Sequence, residues 1–81
     1  MSVEQQVREY ILENYLFTDD DSALANEDSF LEKGILDSTG ILEVIYFLEE
    51  EFEIKVEDQE MVPENLDSVN NIVAFVASKN S

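Results

Sequence analysis

The sequence predicts an all-α fold: a small antiparallel four-helix bundle, three longer helices and one short one, with a long loop between the first two. Three observations carry this. Apolar residues recur at helical spacing in three separate stretches. Ser, Asp and Pro stand where helices would begin. No two segments alternate as a pair of strands. Eighty-one residues are one domain's worth of chain, so residues 1–81 are read as a single unit. At 44% hydrophobic, the chain can build a modest core and is too apolar for a disordered tail.

The first helix is placed at about residues 3–16. Ser2 and Gln5 have capping-box spacing. Val3, Val7, Tyr10, Ile11 and Leu16 then recur on one face. A long polar segment follows, from Phe17 to about Asp37, with turn and cap chemistry at Asp19-Asp20-Asp21-Ser22 and Asn26-Glu27-Asp28-Ser29. Leu24, Phe30 and Leu31 are expected to tie it to the core, because long loops in small domains need anchors. The second helix starts at Asp37 or Ser38, both good caps. Ile41, Val44, Ile45, Leu48 and Phe52 form its apolar stripe, and Leu42, Tyr46 and Phe47 widen it. Ile54 and Val56 alternate with charges, but with no second strand available they read as a packed loop. Pro63 suits the first turn of a short helix near Pro63–Leu66. Asp67 or Ser68 caps the last helix, whose inner face is Val69, Ile72, Val73 and Val76. Phe30, Phe47, Phe52 and Phe75 are assigned to the core.

Charge and absences narrow the function. Twenty acids against four bases give a net charge of −16. Nucleic acid is excluded as a partner, since binding it rests on neutralising phosphates. An anionic membrane surface is disfavoured for the same reason, and basic protein partners are favoured. Without Cys there is no disulfide, thiol nucleophile or cysteine metal site; without His the commonest general base and metal ligand is missing. The N-terminus has no signal-peptide pattern and no apolar run is long enough to span a membrane. The expectation is a soluble, cytoplasmic monomer. The acidic loop does not form a calcium-binding EF-hand: counted from Asp19, Leu24 stands where glycine belongs and Phe30 where the bidentate glutamate belongs.

The informative tract is Phe30-Leu31-Glu32-Lys33-Gly34-Ile35-Leu36-Asp37-Ser38-Thr39-Gly40. A serine at a helix start is usually a cap. As a nucleophile it would need a nearby base, and the chain offers no His and no apolar cage for Lys33. The chain is therefore not expected to be an enzyme. A better use for Ser38 is to receive a phosphate-linked group from another enzyme. Free backbone N–H groups and the positive end of the helix dipole favour phosphate there. The attached group would also supply the thiol that the chain lacks.

Gly34-Ile35-Leu36-Asp37-Ser38, followed by an apolar-acidic helix ending Leu48-Glu49-Glu50-Glu51-Phe52-Glu53-Ile54, resembles the acyl carrier protein family. The resemblance covers essentially the whole chain. It implies a 4′-phosphopantetheine arm, added to Ser38 from coenzyme A by a phosphopantetheinyl transferase, with Asp37 supporting that reaction. It implies that the arm carries an acyl or aminoacyl group as a thioester. It further implies that basic partner enzymes read Glu43 and the Glu49, Glu50 and Glu51 run. Tyr46 is placed on the exposed side of the helix, in contact with a partner.

Two positions depart from the fatty-acid-synthesis pattern. Thr39 stands where an apolar residue follows the serine, and Gly40 where an acid does. Read as partner-facing positions, they point to a specialised carrier in a lipid, polyketide or nonribosomal-peptide pathway, loaded by an adenylate-forming ligase or a synthase. The Met1 start and the short tail after the last helix fit a free-standing protein. The competing class is a non-catalytic acidic adaptor that uses the helix-two surface; only a carrier needs Ser38 chemically.

Overall fold

Three side-chain oxygens open the three longer helices. Ser2 Oγ accepts the Gln5 backbone N–H at 3.1 Å, Asp37 Oδ1 that of Gly40 at 2.8 Å, and Ser68 Oγ that of Asn71 at 3.1 Å. Each satisfies a donor that the first helical turn leaves open. The computed structural model describes residues 2–80. Helix α1 spans Val3–Ile11 and runs on into a π-helical turn, Leu12–Leu16, so the helical stretch reaches residue 16 as the periodicity predicts. Helix α2 spans Ser38–Phe52, the short α3 Pro63–Leu66 and α4 Val69–Lys79. Single 3₁₀ turns lie at Asp21–Ala23 and Asp58–Glu60. No strand occurs among the described residues, and none of their helices is long and apolar enough to cross a membrane.

Left-handed residues end two of these stretches. Phe17 (φ 55°) stops the π turn and Glu53 (φ 54°) stops α2. This is the usual geometry of a helix exit, although glycine takes it at least cost. Pro63 occupies the first turn of α3, where its missing N–H costs nothing. Ser68 caps α4, and Asp67 is thereby free for another task.

The buried set joins all four α-helices. Val7, Ile11 and Leu12 come from α1 and its extension, Val44, Ile45 and Leu48 from α2, and Leu66 from α3. Val69, Ile72, Phe75 and Val76 come from α4. Leu24, Phe30, Leu36 and Val56 complete the core from the connections. Phe30 is fully buried, and burying a side chain of that size contributes about 1.5–3 kcal/mol. Val56 is buried and Ile54 packs against the core, so this segment is the packed loop that was expected. Phe47 and Phe52 pack at the core's edge. Leu31 departs from expectation: it is 43% exposed and does not anchor the loop.

Polar anchors hold the long connection as much as apolar ones do. The Arg8 guanidinium is largely buried and gathers the loop's first half. Its Nη2 donates to the Asp21 carbonyl at 2.6 Å and the Leu24 carbonyl at 2.7 Å, and its Nη1 to Asn26 Oδ1 at 2.6 Å. Asp67 gathers the second half. Its carboxylate accepts from Ser29 Oγ at 2.5 Å and from the Leu31 N–H at 3.0 Å, and its carbonyl accepts from the Phe30 N–H at 2.7 Å.

Candidate functional site

The tract that follows Phe30 delivers Ser38 to the surface. The Phe30 carbonyl accepts from the N–H groups of both Ile35 and Leu36, at 2.9 and 3.2 Å, which folds the chain back on itself. Gly34 sits inside that turn at φ +69°, a conformation that any side chain would strain. Leu36 then enters the core, Asp37 caps α2, and Ser38 is its first helical residue. Asp37 therefore takes the capping role and leaves Ser38 free. The Ser38 side chain is exposed, and its hydroxyl has no hydrogen-bond partner among the described residues. The Ser38 and Thr39 backbone N–H groups are likewise unpartnered there. An exposed hydroxyl beside two open helix-end donors suits a phosphate ester.

Two cavities meet at Ser38. An open one of about 790 Å³ has walls from Tyr15, Ile35, Asp37, Thr39 and Glu43. The other, about 320 Å³, lies between α2 and α3 and is mainly apolar, with Ile41, Leu42, Ile45, Met61 and Leu66 in its lining. A covalent arm on Ser38 has room on both sides and meets no side chain already bonded to that hydroxyl. The residues present thus fit a phosphopantetheine arm. Lys33 is ion-paired with Asp28 at 3.5 Å.

The remaining expected positions separate into two groups. Thr39, Tyr46 and Glu50 are exposed along α2, and Leu42, which reads in sequence as core-widening, is 50% exposed beside them. Thr39, Leu42 and Tyr46 follow each other at helical spacing from the serine, so the outward stripe is apolar and aromatic as well as acidic. The other group has work inside the molecule. Glu43 is exposed, yet its Oε1 accepts from the Tyr15 hydroxyl at 2.7 Å. Glu49 is half-buried, and its Oε2 accepts from the Val56 N–H at 3.0 Å, which ties the exit loop to α2.

Gly40 requires a correction. It does not face outward: it is buried, and a Cβ there would come within 3.0 Å of Leu36 Cδ2 and 3.3 Å of Leu36 Cβ. The missing side chain makes room for a core residue. Among the described residues no group of three or more carboxylates converges to hold a metal ion.

Tyr15 is the site residue that sequence reading missed. Burial, and then its hydrogen bond to Glu43, push its phenol well above the usual range, so it stays a protonated donor. The signal available was the five-residue spacing of Tyr10 and Tyr15. That spacing shares a face only in a π turn, and the two rings indeed meet edge to face at 5.9 Å.

No family model matches the chain. Curated relatives do. A protein of Streptococcus uberis named D-alanyl carrier protein is 41% identical over 76 residues, which cover 94% of this chain and 92% of the relative. A protein of Streptococcus pyogenes with the same name matches with the same identity and coverage. With that similarity along nearly its whole length, and a free serine at the start of α2, the chain belongs to the acyl carrier protein family of phosphopantetheine-dependent carriers.

Proposed function

We propose that this protein is an aminoacyl carrier, specifically of D-alanine, and that Ser38 is where its 4′-phosphopantetheine arm is attached. The observation that carries the reading is the exposed, unpartnered Ser38 hydroxyl, set beside a capping Asp37. The cargo is suggested by the relatives' name. When bound, the arm supplies a thiol that can hold an aminoacyl group as a thioester. The chain's own part is to present and to position. Asp37 holds the first turn of α2 so that Ser38 projects outward. Ser38 Oγ would form a phosphodiester with the arm's phosphate as the pyrophosphate bond of coenzyme A breaks and the nucleotide half, 3′-phosphoadenosine 5′-phosphate, departs. Its proton leaves to a base of the transferase. The protein performs no catalysis alone.

The docking face on this reading is the outer stripe of α2, Thr39, Leu42 and Tyr46, with Glu50 beyond them. A partner that meets it combines an apolar patch with basic residues, drawn in by the −16 charge. A phosphopantetheinyl transferase and an adenylate-forming ligase are the partners this reading requires.

Incubation with coenzyme A and a broad-specificity transferase should add one arm, and Ser38→Ala should receive none. The holo protein should then be loaded with D-alanine in preference to L-alanine or a fatty acid by a D-alanine-activating ligase. An alanine variant that is still labelled would disprove the site. Efficient loading with fatty acids and none with D-alanine would disprove the cargo.

A further inference from the structure

We propose that Tyr15 is a positioning residue for the reactions at Ser38: its hydroxyl fixes Glu43 as an oriented anion that receives a basic side chain of the partner enzyme. This rests on the carrier reading above and adds one contact to its docking face.

The geometry of the pair carries the inference. Tyr15 donates to Glu43 Oε1 at 2.7 Å, while Glu43 itself is exposed and its second carboxylate oxygen has no partner among the described residues. The carboxylate is thus held at one oxygen and open at the other. Both residues line the cavity that Ser38 also lines, with Glu43 little more than one helical turn beyond the serine.

The donor is itself anchored. The Tyr15 ring lies edge-on to Tyr10 at 5.9 Å, and Tyr10 stacks on Phe47 of α2 at 4.1 Å with 16° between the planes. Phe47 in turn meets Phe52 edge-on at 6.1 Å. This aromatic ladder fixes the hydroxyl relative to α2, so Glu43 is tied to a stationary point. Tyr15 also lies within the π-helical turn Leu12–Leu16, and such turns are often found at functional sites.

An unheld glutamate on an exposed helix samples several rotamers, and a partner that pairs with it must order it on binding. Holding it beforehand removes that step. The benefit appears in docking and not in the chemical step, because Glu43 does not touch Ser38's hydroxyl. A cation is the matching group: an Arg or Lys on the partner, pairing with the free oxygen.

The test is the kinetics of arm transfer to Ser38, with the carrier concentration varied against coenzyme A and a transferase that modifies the wild type. Tyr15→Phe keeps the ring in its ladder and removes only the hydroxyl. It should raise KM for the carrier about three- to tenfold, the ordering cost of one long side chain, at unchanged kcat. Glu43→Gln should also raise KM, and the double variant should be no worse than Glu43→Gln alone. The difference from wild type should shrink as salt rises. An unchanged KM for Tyr15→Phe, a loss confined to kcat, or additive losses in the double variant would overturn the proposal. If Tyr15→Phe does not fold, Glu43→Gln decides, and an unchanged KM there overturns it. A wild type that takes no arm at Ser38 overturns the carrier reading and this inference with it. A wild type modified normally beside an indifferent Tyr15→Phe overturns this inference alone.

Discussion

Asp37 and Ser38 are neighbours with separate tasks, and stability measurements can distinguish them. Asp37→Ala removes the oxygen that satisfies the Gly40 N–H, and should cost about 1 kcal/mol in denaturant unfolding. Ser38→Ala removes an exposed, unpartnered hydroxyl and should cost less than about 0.5 kcal/mol. Equal losses would mean that Ser38 shares the cap. That one of the two starts α2 is legible in sequence, because both types cap well. Which one does so depends on where Leu36 enters the core, and that is a tertiary fact. Gly40 illustrates the same limit: its departure from the fatty-acid-synthesis pattern is visible in sequence, but the Leu36 side chain packed against it is not. Glu43 and Glu49 read as free surface acids, since their partners, Tyr15 and the Val56 N–H, come from other segments.

Between α1 and α2, the connection keeps its shape through two polar clasps. Arg8→Met removes the clasp on the first half while keeping much of the apolar stem. It should destabilise the protein by about 2–3 kcal/mol, because hydrogen bonds from a charged donor each contribute about 1.5–3 kcal/mol and do not add fully. Amide hydrogen exchange should quicken most across residues 21–26. If exchange there is unchanged, the apolar anchor Leu24 alone holds the segment. The helices themselves were legible, from their caps and from periodicity through residue 16. So were Leu24 and Phe30 as anchors. The Arg8 clasp was not, because a lone basic residue beside acids on a helix reads as solvated surface. Leu31 misled for the opposite reason: an apolar residue beside a buried Phe30 reads as core, while its backbone is held outward by Asp67.

At the scale of the whole molecule, −16 on a single small domain sets carboxylates against one another. Added salt should therefore raise the melting temperature, most steeply while the Debye length falls to about 10 Å near 0.1 M. Each kcal/mol of repulsion screened should appear as a rise of about 4–8 °C. Magnesium at matched ionic strength should add little, given that no three carboxylates converge among the described residues. A melting temperature indifferent to salt would show that the charges are too dispersed to matter. On the proposed carrier reading, the same charge favours basic partners. On that reading, Ser38 bears an arm loaded with an aminoacyl group. Intact-protein mass spectrometry of material taken from the native host, with fragmentation to locate the modification, tests it most directly. The expected result is one phosphopantetheine on Ser38, in part carrying alanine that hydroxylamine releases and that chiral analysis identifies as the D form. An unmodified Ser38 throughout, or an arm bearing only fatty acyl groups, would contradict it.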